Sequence, residues 1–332
     1  MKGFQSSLTS SRWIIPAVSL LCLGAWLVSG VLLARKLHTN LEGLPTWWTA
    51  LMEYIPGGYV SQALDFVLMA LLGYGLLVLN NRFPIIRLRA SVQTTFFLLL
   101  VAICPKLHHF DADSLVACCW FLALYFLFDT YQRPQQADRL FHAFFFLSVG
   151  SLLFPPLAWF SICWLWEAHR LRGFSLRNFC GALVGGILPI WLLWAHAWYH
   201  NDLNLFYEPL HRLTDFAPWG GWGAEESWLW ATVALLFLWW LTAAGHALVA
   251  GFEDKIQTRT YVQTLVHLSF WILALMALQP MHMRMLLLPL MINVSFLIGH
   301  FFSLTRSRAS NAFAIASCIG LLLLFSYNLW ML

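Results

Sequence analysis

Along almost the whole chain, apolar runs long enough for membrane-spanning helices alternate with short polar connections. A bilayer hydrocarbon core is about 30 Å thick. A helix crosses it with about 20 apolar residues, or fewer where it is short or buried among others. Eleven segments fit, at about 13–34, 62–80, 90–104, 113–129, 140–154, 156–168, 179–200, 227–250, 262–280, 285–303 and 311–330. The third, fifth and sixth are short. Pro155–Pro156 separate the fifth from the sixth, because proline ends or kinks a helix. A ten-span version makes that region one re-entrant hairpin. The pattern predicts an all-α polytopic transmembrane bundle, with residues 1–332 forming a single integral membrane domain. No tandem repeat, low-complexity tract or soluble domain interrupts it.

Two polar connections are more than linkers. In the first, Pro45 can open a short helix whose apolar face is Trp47, Trp48, Leu51 and Met52, with Gly57–Gly58 to end it. That is the signature of an amphipathic helix lying in the interface. Asp65 follows, near the mouth of the second span. The other connection, 201–226, is the longest stretch that cannot sit in lipid, and the chain reads as organised around it. It carries Asp202, Glu208, His211, Arg212, Asp215, Glu225 and Glu226, with Trp219 and Trp222 among glycines.

Charge fixes an orientation. Lysine and arginine favour cytoplasmic loops. With the N-terminus inside, the inner side holds Lys2, Arg12, Arg82, Arg87, Arg89, Arg133, Arg139, Arg170, Arg172, Arg177, Lys255, Arg259, Arg306 and Arg308. The outer side keeps only Arg35, Lys36, Lys106, Arg212 and Arg284. Carboxylates lean the other way: Glu42, Glu53, Asp65, Asp111, Asp113, Asp202, Glu208, Asp215, Glu225 and Glu226 fall outside. Membrane insertion does not explain an acidic outer face, so it invites a functional reading beside the bland one of loop solubility.

Composition sharpens the class. Only 10% of the residues are charged, 60% are hydrophobic and the mean hydropathy is +0.70. A soluble domain carries about 25% charged residues. The net charge of +4 comes from the inner loops, and no basic cluster is long enough for nucleic acid. The seven cysteines lie in or beside apolar runs without a CxxC pair, which predicts free buried thiols. Residues 13–34 are long enough to span and are followed by Arg35–Lys36, so they read as an uncleaved first helix in a bacterial inner membrane.

Candidate chemistry gathers on the outer side. In the stretch 107–114, two histidines stand beside Asp111 and Asp113, a spacing that suits a divalent metal bridging to phosphate. The bland alternative is a cap for the fourth span. His196 and His200 share a helix face at i, i+4, the spacing that lets two imidazoles share a metal, or they are interfacial residues beside Trp198 and Tyr199. Arg284, next to His282 and just before an apolar run, is costly unless paired or wet. Arg284 and Arg212 can hold a phosphate, or pair with outer carboxylates. His246, His267 and His300 lie nearest the membrane core and lack evident acidic partners at their depth, which counts against a proton-coupled transporter.

Two resemblances extend this. The short third span, the break near Phe154–Pro156 and the segment MLLLPLMINVSFLIGHFF at 285–302 resemble an uncharacterised family of Bacteroidetes polytopic inner-membrane proteins. The interfacial helix at Pro45–Tyr54, the acids Glu42, Glu53 and Asp65, and Arg284 before MLLLPL are similar to GT-C superfamily membrane glycosyltransferases. That resemblance implies transfer of a sugar from a polyprenyl-phosphate carrier, with a carboxylate as base on the acceptor hydroxyl. The first outer loop is shorter than in that superfamily, and no acidic pair follows the first span directly. The expected roles are Glu53, Asp65 or Asp111 as base, Arg212 and Arg284 on phosphate, and Asp113, His196 and His200 as ligands of a divalent metal. The alternative is a non-enzymatic scaffold or assembly subunit of an envelope complex.

Overall fold

The structure, a computed structural model, describes residue 5 and residues 13–33, 45–55, 57–86, 91–214, 216, 226–305 and 307–331. Lys2, Arg12, Arg35, Lys36, Glu42, Arg87, Arg89, Asp215, Trp219, Trp222, Glu225 and Arg306 lie outside the described residues. Among the described residues every regular element is helical: α1 (Ile14–Leu33), α2 (Thr46–Glu53), α3 (Tyr59–Arg82), α4 (Val92–Ala102), α5 (Ala112–Asp129), α6 (Ala137–Leu153), α7 (Phe160–Arg170), α8 (Leu176–Tyr199), α9 (Asn204–Arg212), α10 (Ser227–Ala250), α11 (Ile256–Leu278), α12 (Met283–Leu304) and α13 (Arg308–Trp330).

Each of the eleven apolar segments is a helix, and α2 and α9 lie in the two polar connections. Eight helices are long and apolar enough to cross a membrane. The other three segments, α4, α6 and α7, have 11, 17 and 11 residues. At 1.5 Å per residue they reach roughly 17, 26 and 17 Å, short of the hydrocarbon core. The outside of the helices is apolar: Leu20, Leu71, Leu248 and Leu322 are each 59% exposed or more. Water does not tolerate such a surface over whole helices, whereas hydrocarbon does. The chain is a polytopic membrane protein.

Contacts divide it into two compact units. The first comprises residues 1–38, 57–111 and 220–332, and the second residues 39–56 and 112–219. In the first, α12 is the hub, almost wholly enclosed, with α4, α10 and α11 packed on it. A helix apolar all round belongs inside. Its Gly299 lets the start of α4 come close, since a Cβ there would stand 2.9 Å from Ile86 Cδ1 and 3.2 Å from the Gln93 amide nitrogen. Phe96 of α4 lies between Trp239 and Phe302, at 5.4 Å from each ring. His300, expected without an acidic partner, has one: its Nε2 is 3.1 Å from Asp254 Oδ2. Asp254 follows α10 in sequence, and the return of the chain brings it to the far end of α12.

In the second unit, α6 and α8 pack through Gly181 and Gly185. An added Cβ would stand 2.7 Å from the Ala137 carbonyl oxygen and 2.2 Å from that of Phe141. Small residues four apart let two backbones meet in this way within membranes. Pro155–Pro156 do break the chain as expected, into a 3-10 turn over Pro155–Trp159 that leads directly into α7. Trp120 packs edge-on against Trp164 and Phe160, with ring centres 4.6 and 5.2 Å away. Asp129, buried, accepts from Arg133 at 3.1 Å and is paired with Arg139 at 2.9 Å. Glu167, also buried, receives Arg170 on both oxygens.

Candidate functional site at the 103–111 loop

The loop that leaves α4 is held at five places, all in the first unit. Pro105 stops the helix and opens a 3-10 turn over Pro105–Leu107. The Ile103 carbonyl accepts from Asn328 Nδ2 of α13 at 2.7 Å. Lys106 is paired with Glu226, whose Oε2 also accepts from Trp228 Nε1 at 2.7 Å. His108 lies flat on Trp26 of α1, with ring centres 3.6 Å apart. The Phe110 amide donates to Ser61 Oγ of α3 at 3.0 Å. Finally, Arg284 Nη2 in the first turn of α12 donates to Asp111 Oδ2 at 3.1 Å and meets His109 Nε2 at 3.1 Å.

Protonation follows from these partners. Asp111, buried and beside Arg284, is the carboxylate of a neutralised pair. His108 Nε2 faces the Val101 carbonyl at 3.0 Å and Nδ1 faces Ser29 Oγ at 2.9 Å. Burial pushes the His108 pKa down to about 3, outweighing the Val101 bond that raises it; the neighbouring His109 lowers it further. A neutral ring with its proton on Nε2 donates to the Val101 carbonyl and leaves Nδ1 facing the Ser29 hydroxyl, which itself donates to the Trp26 carbonyl at 2.9 Å.

Asp65 lies one turn beyond Ser61 on α3 and is completely buried, nearly two turns inside the helix instead of at its mouth. Gln62 beside it touches α1 at Gly30, where a Cβ would stand 2.6 Å from Gln62 Oε1. The Nε2 of Gln62 and the Nε1 of Trp26 are buried donors without a hydrogen-bond acceptor. The loop therefore carries an arginine–carboxylate pair and two imidazoles, and it touches α1 and α3, which hold the spare N–H donors. Such a corner can receive an oxyanion and can move a proton.

Of the expected site residues, Asp111 and Arg284 meet, with Asp65 in the same unit. Glu53, Asp113, His196, His200 and Arg212 belong to the second unit. Glu53 is exposed at the end of α2, a helix that stops there and not at Gly57–Gly58. Asp113 is buried, and its Oδ1 accepts from the Ser114 amide at 2.7 Å. His196 and His200 share a face as their spacing predicts, with rings 4.5 Å apart, and both are exposed. Arg212 donates to Glu208 at 2.7 Å within α9, one turn away. Among the described residues, no group of three or more His, Cys, Asp or Glu is placed to hold a metal ion. Trp26, Ser29, Ser61 and Gln62 were not anticipated; nothing in their local sequence sets them apart from helix-lining residues.

Comparison of the chain with protein-family models, with curated proteins and with solved structures found no match.

Proposed function

We propose that this is a bacterial inner-membrane protein with a cytosolic N-terminus whose Arg284–Asp111–His109 corner, on the outward side, receives a lipid-borne phosphate. In its most specific form the activity is GT-C-like transfer of a sugar from a polyprenyl-phosphate carrier. The observation that carries the reading is a buried carboxylate joined to a guanidinium that remains partly open, its side chain 29% exposed. A phosphate arriving at Arg284 competes with Asp111 for the same N–H groups. Once released, Asp111 is free to accept the proton of an acceptor hydroxyl. The acceptor oxygen then bonds to the sugar carbon, the carbon–phosphate-oxygen bond breaks, and the electron pair leaves on the phosphate held by Arg284.

A non-enzymatic scaffold is the second reading, and one observation favours it. Charges are widely compensated within the chain: Lys106 by Glu226, Arg212 by Glu208, Arg133 and Arg139 by Asp129, and Arg170 by Glu167. Mass spectrometry of lipid co-purified with the protein separates the two. On the enzyme reading a prenyl-phosphate lipid accompanies the native chain and Asp111→Asn, and is absent from Arg284→Gln at equal membrane abundance. Identical lipid profiles, with any phenotype tracking abundance alone, would overturn it.

A further inference from the structure

The second unit carries a feature that the proposed site does not use. Between α7 and α8 the chain reads Leu171–Ser175, and this turn, with the first residues of α8, is built to a fixed shape. The Gly173 amide donates to the Ala168 carbonyl and the Arg172 amide to that of His169, the paired bonds that commonly close a helix over a left-handed residue. Glycine usually holds that position; here it is Arg172, at φ 55°. Gly173 packs against Thr130, where a Cβ would come within 2.7 Å of its carbonyl oxygen. Ser175 Oγ donates to the Pro134 carbonyl, and Asn178 Nδ2 to those of Arg133 and Gly173.

This platform presents Arg172 and Arg177, both exposed and without an ion pair among the described residues, whereas Arg133, Arg139 and Arg170 nearby are taken by carboxylates. Phe174 and Leu176 project between them, 41% and 78% exposed. Phe174 leads on to Phe179, with ring centres 6.0 Å apart. Phe179 lies at one end of a crevice of about 240 Å³ walled by α6, α7 and α8, with Phe144, Leu165, Leu183 and Ile187 among its lining. Its α8 wall runs from Phe179 to Ile190. At 1.5 Å per residue that is about 17 Å, close to the half-thickness of a hydrocarbon core. The Ser148 and Ser151 hydroxyls in the wall donate to the carbonyls of Gly186 and Ser148, and Ser161 adds a third hydroxyl to an otherwise apolar lining. Leu183 and Ile187 are exposed, which opens the crevice to the surface.

We propose that this crevice and turn form a binding site for one anionic glycerophospholipid, with its phosphate on Arg172 and Arg177 and one acyl chain along α8. The apolar wall takes the chain, and the two uncommitted arginines select the charge of the headgroup. The site is independent of the Arg284 corner.

The test is native mass spectrometry of the full chain in detergent, titrated with phosphatidylglycerol and, separately, phosphatidylcholine. The native protein is expected to prefer phosphatidylglycerol by roughly thirtyfold, the effect of two arginines near an anionic headgroup. The Arg172→Gly, Arg177→Gln double variant is expected to lose that preference. Arg172→Gly relieves the left-handed arginine, so its melting temperature should hold or rise while selectivity falls; a merely structural arginine would not behave so. Ile187→Trp, which fills the crevice, should weaken both lipids. Equal affinity for the two lipids, undiminished preference in the double variant, or unchanged binding in Ile187→Trp would each overturn the proposal. So would a prenyl phosphate that binds while phosphatidylglycerol fails to displace it.

Discussion

Gly185→Ala adds one carbon at the closest approach of two helices. That carbon would stand 2.2 Å from the Phe141 carbonyl oxygen and 3.0 Å from its carbon, both backbone atoms of α6 that cannot swing aside. Restoring ordinary contact requires α6 and α8 to part by about 1 Å, and overpacking of this kind costs about 1–3 kcal/mol. The separation also stretches the 2.6 Å bond from Ser148 Oγ to the Gly186 carbonyl, worth about 1 kcal/mol. Alanine returns about 0.5–1 kcal/mol through its better helix propensity. The expected net loss is about 2 kcal/mol, or roughly 3 °C in melting temperature for a chain of this length. Gly245→Ala in α10 is the control, because no atom lies within 4 Å of its added carbon and only the propensity gain applies. Thermal unfolding in detergent, followed by tryptophan fluorescence, compares the two. If Gly185→Ala melts at or above Gly245→Ala, close backbone contact does not hold α6 to α8 and the reasoning is wrong.

Two further predictions address the loop. Asp111→Asn and Arg284→Gln should each cost about 2–4 kcal/mol by leaving a charge without its partner, while the double variant should cost less than their sum by about 1–3 kcal/mol; additive melting shifts would deny the pair its role. His108 has a folded-state pKa of about 3, below its ordinary value near 6.5, so the unfolded chain takes up a proton that the folded chain excludes. Its contribution to stability is full above about pH 6.5 and is lost as pH falls toward 3, at up to about 1.4 kcal/mol per pH unit. His108→Gln should flatten the fall in melting temperature between pH 7 and 5, and an unchanged slope would place the titration elsewhere.

The helices were legible because the solvent writes them. Lipid demands that each spanning backbone satisfy its own hydrogen bonds, so an apolar run such as residues 311–330 has little alternative to helix. The short helix after Pro45 was legible for the same kind of local reason, the fixed φ of proline followed by two tryptophans and a leucine. The stretch 201–226, read as the organising element, is different. Part of it, Asn204–Arg212, is a helix with Pro209 inside it, and its arginine is taken by Glu208 one turn away. An i, i+4 pair inside the stretch was readable in principle, yet the density of charge there drew attention to the loop as a whole. The division into two units was not readable, because apolar runs look alike whichever neighbours they find.

The pairing of Asp111 with Arg284 was foreseen only as one of many options, since 173 residues separate them and no local pattern selects one outer carboxylate over another. Its presence changes what the site must do. An Arg–carboxylate pair and an Arg–phosphate pair are of similar strength, so exchanging one for the other brings little net affinity. A phosphate must therefore gain from other donors, and the loop's neighbours supply candidates. Gln62 Nε2 and Trp26 Nε1 are buried N–H groups without acceptors, on the two helices that grip the same loop. Leaving such donors buried is costly, and an incoming oxyanion is the kind of group that would relieve them. On this argument the affinity of the corner needs the neutral donors as well as the arginine.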